Sequence, residues 1–219
     1  MTKSPFLAVS VAAALAFSVG AAKADALDAR LDGIARSWAH ANYEITDKTA
    51  QASAAAQVAT EADALARQNP GKAEPLVWEA IAKATQAGAK GGLGGLALAK
   101  ESKSLLEQAE RINPAALGDG SVYTSLGSLY AQVPGFPVGF GDAGKARGYL
   151  QKALAASPNG VDSNFFYGDF LMRQKDYAGA TKALQKALAA PARPGREVAD
   201  KGRKAQAAAL LAQAQAKLR

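Results

Sequence analysis

The residue types that most often carry chemistry are thinly spread in this sequence. Cysteine is absent, which removes thiolate nucleophiles, thiolate metal ligands and disulfides in one step. His40 is the single histidine and falls in a helical stretch with Trp38 and Tyr43. With no second imidazole or thiolate it cannot complete a metal site, and it reads as a packed or surface residue rather than a catalytic one. Glu107 and Glu110 stand on one helix face, where such carboxylates are ordinarily solvated. A glycosidase would need carboxylates converging from separate elements, and no pair is singled out for that role. The run Gly88-Ala-Lys-Gly-Gly-Leu-Gly-Gly95 follows a helical segment and lacks the G-x-x-x-x-G-K-[ST] order that cradles phosphates. It reads as a flexible connection, part of which extends the next helix. These exclusions predict a non-enzymatic protein without cofactor or metal, whose work is binding.

Any binding residues must be held by helices. Alanine and leucine dominate, apolar residues recur at helical spacing from about Asp25 to Leu218, and no stretch alternates strictly as a half-buried strand would. The pattern also repeats. Ala146, Leu150 and Ala153, followed by Pro158, set a small-large-small triplet before a helix-ending proline, and Ala180, Leu184 and Ala187 reproduce the triplet 34 residues later. Ser102, Leu106, Ala109 and Pro114 match it 44 residues earlier, and Pro70, preceded by Ala62 and Leu65, lies another 44 residues back. Each of these helices needs a partner before it. Tyr123, Leu126, Gly127 and Tyr130 carry the partner signature aromatic-x-x-Leu-Gly-x-x-Tyr closely; Asn164, Tyr167, Gly168 and Leu171, and then Trp78, Ile81, Ala82 and Thr85, carry it more loosely. Close packing of antiparallel helices explains these types. A small residue such as Gly127 or Gly168 admits the opposing helix, Ala146 and Ala180 receive it, and large residues fill the flanks. One such pair cannot bury its apolar face alone, whereas about four stacked pairs form a superhelix with a concave surface.

Over about Ala26 to Ala190 the chain resembles tetratricopeptide repeat proteins. Within that group Pro134-Gly-Phe-Pro-Val-Gly-Phe-Gly-Asp142, the helix Asn164-Phe-Phe-Tyr-Gly-Asp-Phe-Leu171 and Pro191-Ala-Arg-Pro-Gly-Arg196 resemble the TatT component family associated with TRAP transporters. The resemblance implies association with the periplasmic substrate-binding subunit of a TRAP uptake system. It also implies that the first helix of each pair lines the concave face, so that Thr124, Ser128 and Gln132 from the third pair and Phe165, Asp169, Met172 and Arg173 from the fourth are the candidate groove contacts. Asp169 and Arg173 also stand in the i,i+4 order of a surface ion pair.

The spacing between first-helix and second-helix markers is 16 residues from Asn164 to Ala180 but 23 from Tyr123 to Ala146 and 24 from Trp78 to Ser102. The second and third pairs are thus expected to carry enlarged loops on one edge. The loop Val133–Gly141 holds Pro134, Phe136, Pro137 and Phe140. Its rings, with Asp142, are candidate loop contacts, since prolines fix the backbone and phenylalanines offer apolar area at low entropy. The competing reading tucks both rings onto the neighbouring helices.

The termini carry separate signals. Lys3, the uncharged run Phe6 to Val19 and the small-x-small site Ala22-Lys23-Ala24 read as a signal peptide cleaved after Ala24. The domain organisation expected is therefore signal peptide 1–24, repeat domain 25–190 and a basic linker with capping helix 191–219. The run of 14 residues is too short to span a bilayer, and no later segment spans one. With no cysteine to take a lipid, the mature protein is expected free in the periplasm. Removing Lys3 and Lys23 leaves 24 basic and 19 acidic residues, a net of +5, most of it from Arg193 onward. That tail has no aromatic residue, which argues against nucleic acid and leaves a solvated face. Ala207, Leu210 or Leu211, Ala214 and Leu218 form one stripe of the last helix, with Lys201, Arg203, Lys204 and Lys217 elsewhere, as in a helix that caps an open repeat stack. The alanine-rich stripe lacks the aromatic anchors of a membrane-surface helix. A periplasmic scaffold for a protein partner is the leading expectation. Small-ligand capture in the groove, or an accessory role to a cell-envelope enzyme complex, is the alternative.

Overall fold

The computed structural model describes residues 10–219, with side chains from Asp25 onward. Most of the signal segment's apolar run thus lies in helical backbone whose side chains are outside the described residues, as are residues 1–9 entirely. Nine helices and no strand occur among the described residues: α1 (Ser10–Tyr43), α2 (Lys48–Gln68), α3 (Glu74–Lys90), α4 (Gly92–Ile112), α5 (Ser121–Gln132), α6 (Ala143–Ala156), α7 (Val161–Arg173), α8 (Tyr177–Ala189) and α9 (Glu197–Ala216). None of them is long and apolar enough to cross a membrane among the described residues. Starts and stops follow local chemistry. Asp47, Asp142 and Asp176 cap α2, α6 and α8 by accepting the backbone N–H three residues on, at 2.8, 2.9 and 2.8 Å. Pro70, Pro114 and Pro158 fall just beyond the ends of α2, α4 and α6.

The helices pair α3 with α4, α5 with α6 and α7 with α8, as the markers require, while α2 packs on α1 and still more on α3. Every triplet residue is fully buried: Ser102, Leu106 and Ala109 on α4, Ala146, Leu150 and Ala153 on α6, Ala180, Leu184 and Ala187 on α8. The glycines of the first helices face the large residue of the triplet. A Cβ on Gly127 would stand 2.6 Å from Leu150 Cγ, and one on Gly168 2.7 Å from Leu184 Cγ. Asn164, also buried, donates to the carbonyls of Pro158 and Gly160 at 3.0 and 2.9 Å and so fixes the turn into α7.

Two expectations need correction. The glycine-rich run is not a flexible loop: α3 continues to Lys90 and α4 begins at Gly92, leaving Gly91 alone between them. Gly91 and Gly92 take φ of 63° and 57°, the left-handed region, and a Cβ on Gly95 would lie 2.6 Å from the Ala87 carbonyl oxygen. The glycines make a sharp corner, and the additional residues of the second pair lengthen its helices to 17 and 21 residues. Only the third pair carries an enlarged loop.

The second correction concerns the end of the stack. α9 packs on α8 and α7 and also on α1, so the layer formed by α1, α3, α5, α7 and α9 closes on itself instead of ending in an open superhelix. Ala207 and Ala214 are fully buried and Leu210 and Leu211 half-buried, as the stripe predicts, but Leu218 lies past the end of α9 and is exposed. Gly202 favours the closure, because a Cβ there would clash with Tyr43 Cδ1 of α1.

Candidate functional site: the central cavity

Closure of the inner layer encloses a cavity of about 470 Å³, partly open to solvent and walled by α1, the start of α2, α3, α5, α7 and α9. Its apolar wall consists of Trp38, Trp78, Ile81, Phe165 and Phe166. The indoles meet at 5.8 Å between ring centroids, inclined at 54°, and Trp38 Nε1 donates to Thr85 Oγ1 at 2.9 Å. Phe165 and Phe166 pack edge to face at 5.2 Å. Opposing these rings is a polar wall of Ser121, Thr124, Ser125, Ser128 and Gln132, all from α5. Gln132 Nε2 donates to Ser128 Oγ at 2.9 Å, whereas the hydroxyl of Thr124 is buried without a partner.

Six of the seven groove residues read from the sequence line this cavity: Thr124, Ser128, Gln132, Phe165, Asp169 and Arg173. Met172 does not; one residue round the helix from Arg173, it packs against the apolar core instead. Arg173 Nε donates to Asp169 Oδ2 at 3.0 Å, so these two form the anticipated i,i+4 pair at the cavity's edge. The loop residues stand apart from the cavity. Phe136 is 94% exposed, while Phe140 packs edge to face on Tyr130 at 5.6 Å, and Asp142 caps α6. The two rings thus part company, one offered to solvent and one anchoring the loop, and no residue from Val133 to Asp142 lines the cavity. His40 is exposed, with Nδ1 2.7 Å from Glu44 Oε2. Among the described residues no three His, Asp or Glu gather as a metal site would need.

The basic tail departs most from expectation. Arg203 was assigned to the solvated face of the last helix, yet it is only 7% exposed and points into the cavity. Its guanidinium carbon lies 4.6 and 4.4 Å from the Phe165 and Phe166 ring centres, and Nε donates to Asp162 Oδ1 at 2.7 Å. Arg193, behind it, donates to Asp162 Oδ2 at 2.9 Å and to Asp200 Oδ1 at 2.8 Å. Burial alone would raise the pKa of Asp162, but the two guanidiniums outweigh it and hold this carboxyl below its ordinary value. Arg196, in the turn before α9, lies 5.0 Å over the Trp78 ring. Burial, with Arg193 nearby, lowers its pKa, although a guanidinium stays protonated at neutral pH. It forms no ion pair among the described residues, and its Nε is buried without an acceptor. The sequence offered one usable signal for these residues, the concentration of arginine after Arg193. The aromatic partners that a run of seven basic side chains lacked are supplied by α3 and α7.

The cavity can therefore hold a molecule between an aromatic wall, a hydroxyl wall and a cationic corner. A search of curated proteins finds no match to the chain. Residues 138–199, from the tip of the Phe136 loop through α6, α7 and α8 to the first turn of α9, match the family described as Tetratricopeptide repeat. The all-α ring is accordingly a helical repeat solenoid, of which residues 138–199 are similar to tetratricopeptide repeats.

Proposed function

We propose that the protein is an exported, non-catalytic scaffold of the periplasm that docks a partner protein through the Val133–Gly141 loop, the partner being the substrate-binding subunit of a TRAP-type uptake system. The observation that carries the docking surface is the exposure of Phe136, 94%, beside Val138, 60%, at the tip of a loop whose base is fixed. Gly141 N–H donates to the Pro134 carbonyl and Asp142 N–H to the Tyr130 carbonyl, both at 2.9 Å, while Phe140 anchors the loop on Tyr130. A ring held out on an ordered loop loses little conformational freedom on binding and gains most of its apolar burial there. Export rests on the small-x-small site before Asp25, and the choice of partner rests on the resemblance of the loop and of α7 to TatT components.

The test is affinity capture from periplasmic extract with tagged chain beginning at Asp25, wild type beside Phe136→Ser. Phe140 is left intact because it holds the loop. A buried aromatic anchor contributes about 2 kcal/mol or more to a protein interface, so the wild type should recover a solute-binding protein that the variant loses. Recovery of a peptidoglycan enzyme would point to an accessory role in an envelope complex, and equal recovery by the two proteins would remove the loop from the interface.

A second reading is supported by the cavity itself. Its volume of about 470 Å³ lies within the range of small-molecule sites, and its polar groups converge opposite an apolar wall. In this reading the ring captures a small ligand and the loop presents the protein to its partner.

A further inference from the structure

We infer that the central cavity takes a small organic carboxylate with a flat or extended apolar body, its carboxylate on Arg196 and its body along Trp78 and Trp38; the inference rests on the reading of the cavity as a ligand site. The argument begins with charge. Four cationic side chains line the cavity, Lys48, Arg173, Arg196 and Arg203, against two carboxylates, Asp162 and Asp169. Both carboxylates are engaged, Asp162 by Arg203 and Arg193 and Asp169 by Arg173. Lys48 donates to Gln51 at 2.9 Å. Arg196 is left as the lining guanidinium that meets no carboxylate among the described residues, and its Nε is buried with nothing to donate to.

A buried donor without an acceptor costs the full desolvation of that group. Here the donor belongs to a charged, planar fork whose geometry matches the two oxygens of a carboxylate. The guanidinium carbon lies 5.0 Å from the Trp78 ring centre, so that an anion received by the fork lies beside the indoles. Thr124, whose buried hydroxyl is likewise unpartnered, lines the same cavity.

The size and number of groups then narrow the class. Two lining cations meet no carboxylate, Arg196 and Lys48, and of the two the planar fork of Arg196 matches the paired oxygens of a carboxylate, whereas a phosphate is usually met by several cations or by a helix N-terminus with its backbone donors. The aromatic wall of Trp38, Trp78, Phe165 and Phe166 needs an apolar body to displace the water there. A ligand polar on all sides would leave that wall unmatched, and the ammonium of a free amino acid would be repelled by Arg196 and Lys48.

The experiment uses the intact mature chain and its two tryptophans, both in the cavity wall, as reporters. Hexanoate and 3-phenylpropionate are titrated against hexan-1-ol, 3-phenylpropan-1-ol and inorganic phosphate, following tryptophan emission and heat of binding. The wild type should bind at least one carboxylate about 10-fold or more tightly than its alcohol, as a charge-assisted fork predicts. Arg196→Gln should erase that preference and Arg196→Lys retain part of it, both keeping the native circular-dichroism spectrum, with any loss of thermal stability set by the weakened contact with Trp78. Equal binding of acid and alcohol, or an unaltered preference in Arg196→Gln, would overturn the carboxylate assignment and leave the cavity a neutral-ligand site. Phosphate alone binding would overturn it too. No response to any probe would remove the inference together with the cavity reading, while the loop-docking proposal is judged separately by the Phe136→Ser capture.

Discussion

Asp162 links three parts of the chain that are distant in sequence. Its two oxygens accept from Arg193 and Arg203, 31 and 41 residues away, and it stands on the first turn of α7, where the helix dipole also favours a negative charge. Removing its charge leaves the buried Arg203 without a carboxylate and Arg193 with Asp200 as its close one. Asp162→Asn is expected to cost about 2–3 kcal/mol at neutral pH, less than a fully buried pair because the side chain is 29% exposed. The sign of the pH dependence follows from the lowered pKa. The unfolded chain takes up the proton near pH 4 while the folded state still resists it, so the stabilisation is present above that value and declines as pH falls through the folded pKa. Urea unfolding at pH 7 and near pH 3 checks this: the difference between wild type and Asp162→Asn should narrow in acid, and a constant difference would mean that the carboxylate's charge is not what Arg193 and Arg203 use.

Helix pairing was readable because the residues that decide it sit within one helix and recur. Small-large-small triplets mark a contact face whatever the neighbouring pair does, and the four second helices lie where their prolines and alanines place them. The same logic makes the glycines of the first helices quantitative. Gly127→Ala and Gly168→Ala would put a methyl 2.6–2.7 Å from Leu150 Cγ and Leu184 Cγ, in the middle of a packed helix pair, and each is expected to destabilise by about 1–3 kcal/mol. Gly148 on α6 is the internal control: it is exposed, meets nothing within 4 Å, and as alanine should stabilise by about 0.5–1 kcal/mol through helix propensity. Denaturant midpoints of the three variants decide the matter, and Gly127→Ala behaving like Gly148→Ala would mean that the helices separate freely. Glycine misled in one place for a related reason. The Gly91–Gly95 run reads as loop by propensity alone, but the corner it forms needs two left-handed residues and a close approach to the Ala87 carbonyl, which only glycine allows without strain. Arg196 and Arg203 were illegible for the opposite reason: periodicity places a side chain on a face of its own helix, and nothing in α9 says that the opposing rings come from α3 and α7.

Closure into a ring is a property of the whole chain, and the cavity exists only because of it. In an open superhelix α1 and α9 would lie at opposite ends, Tyr43 and Arg203 would not meet at 5.7 Å, and the arginines that give the cavity its charge would be in solvent. The contact depends on small residues, Gly202 against the Tyr43 ring and the buried Ala199 of α9 in the core shared with α1. Gly202→Leu, which cannot fit beneath Tyr43, is therefore expected to part α9 from α1 while leaving the four helix pairs formed, since each pair has its own triplet and α9 adds to those contacts at α8 alone. Overpacking of this kind costs about 1–3 kcal/mol, occasionally more, against a total stability of about 5–15 kcal/mol, so the chain should still fold. Small-angle scattering should then show a larger radius of gyration, circular dichroism an unchanged helix content, and the emission of Trp38 and Trp78 a shift to longer wavelength as water enters the wall they share. A variant that kept the wild-type radius and emission would show that the α1–α9 contact follows from curvature already built into the four pairs, and that α9 merely fills a gap they leave. Loss of helix content along with closure would show instead that the ring folds as one cooperative unit, with no pair stable outside it.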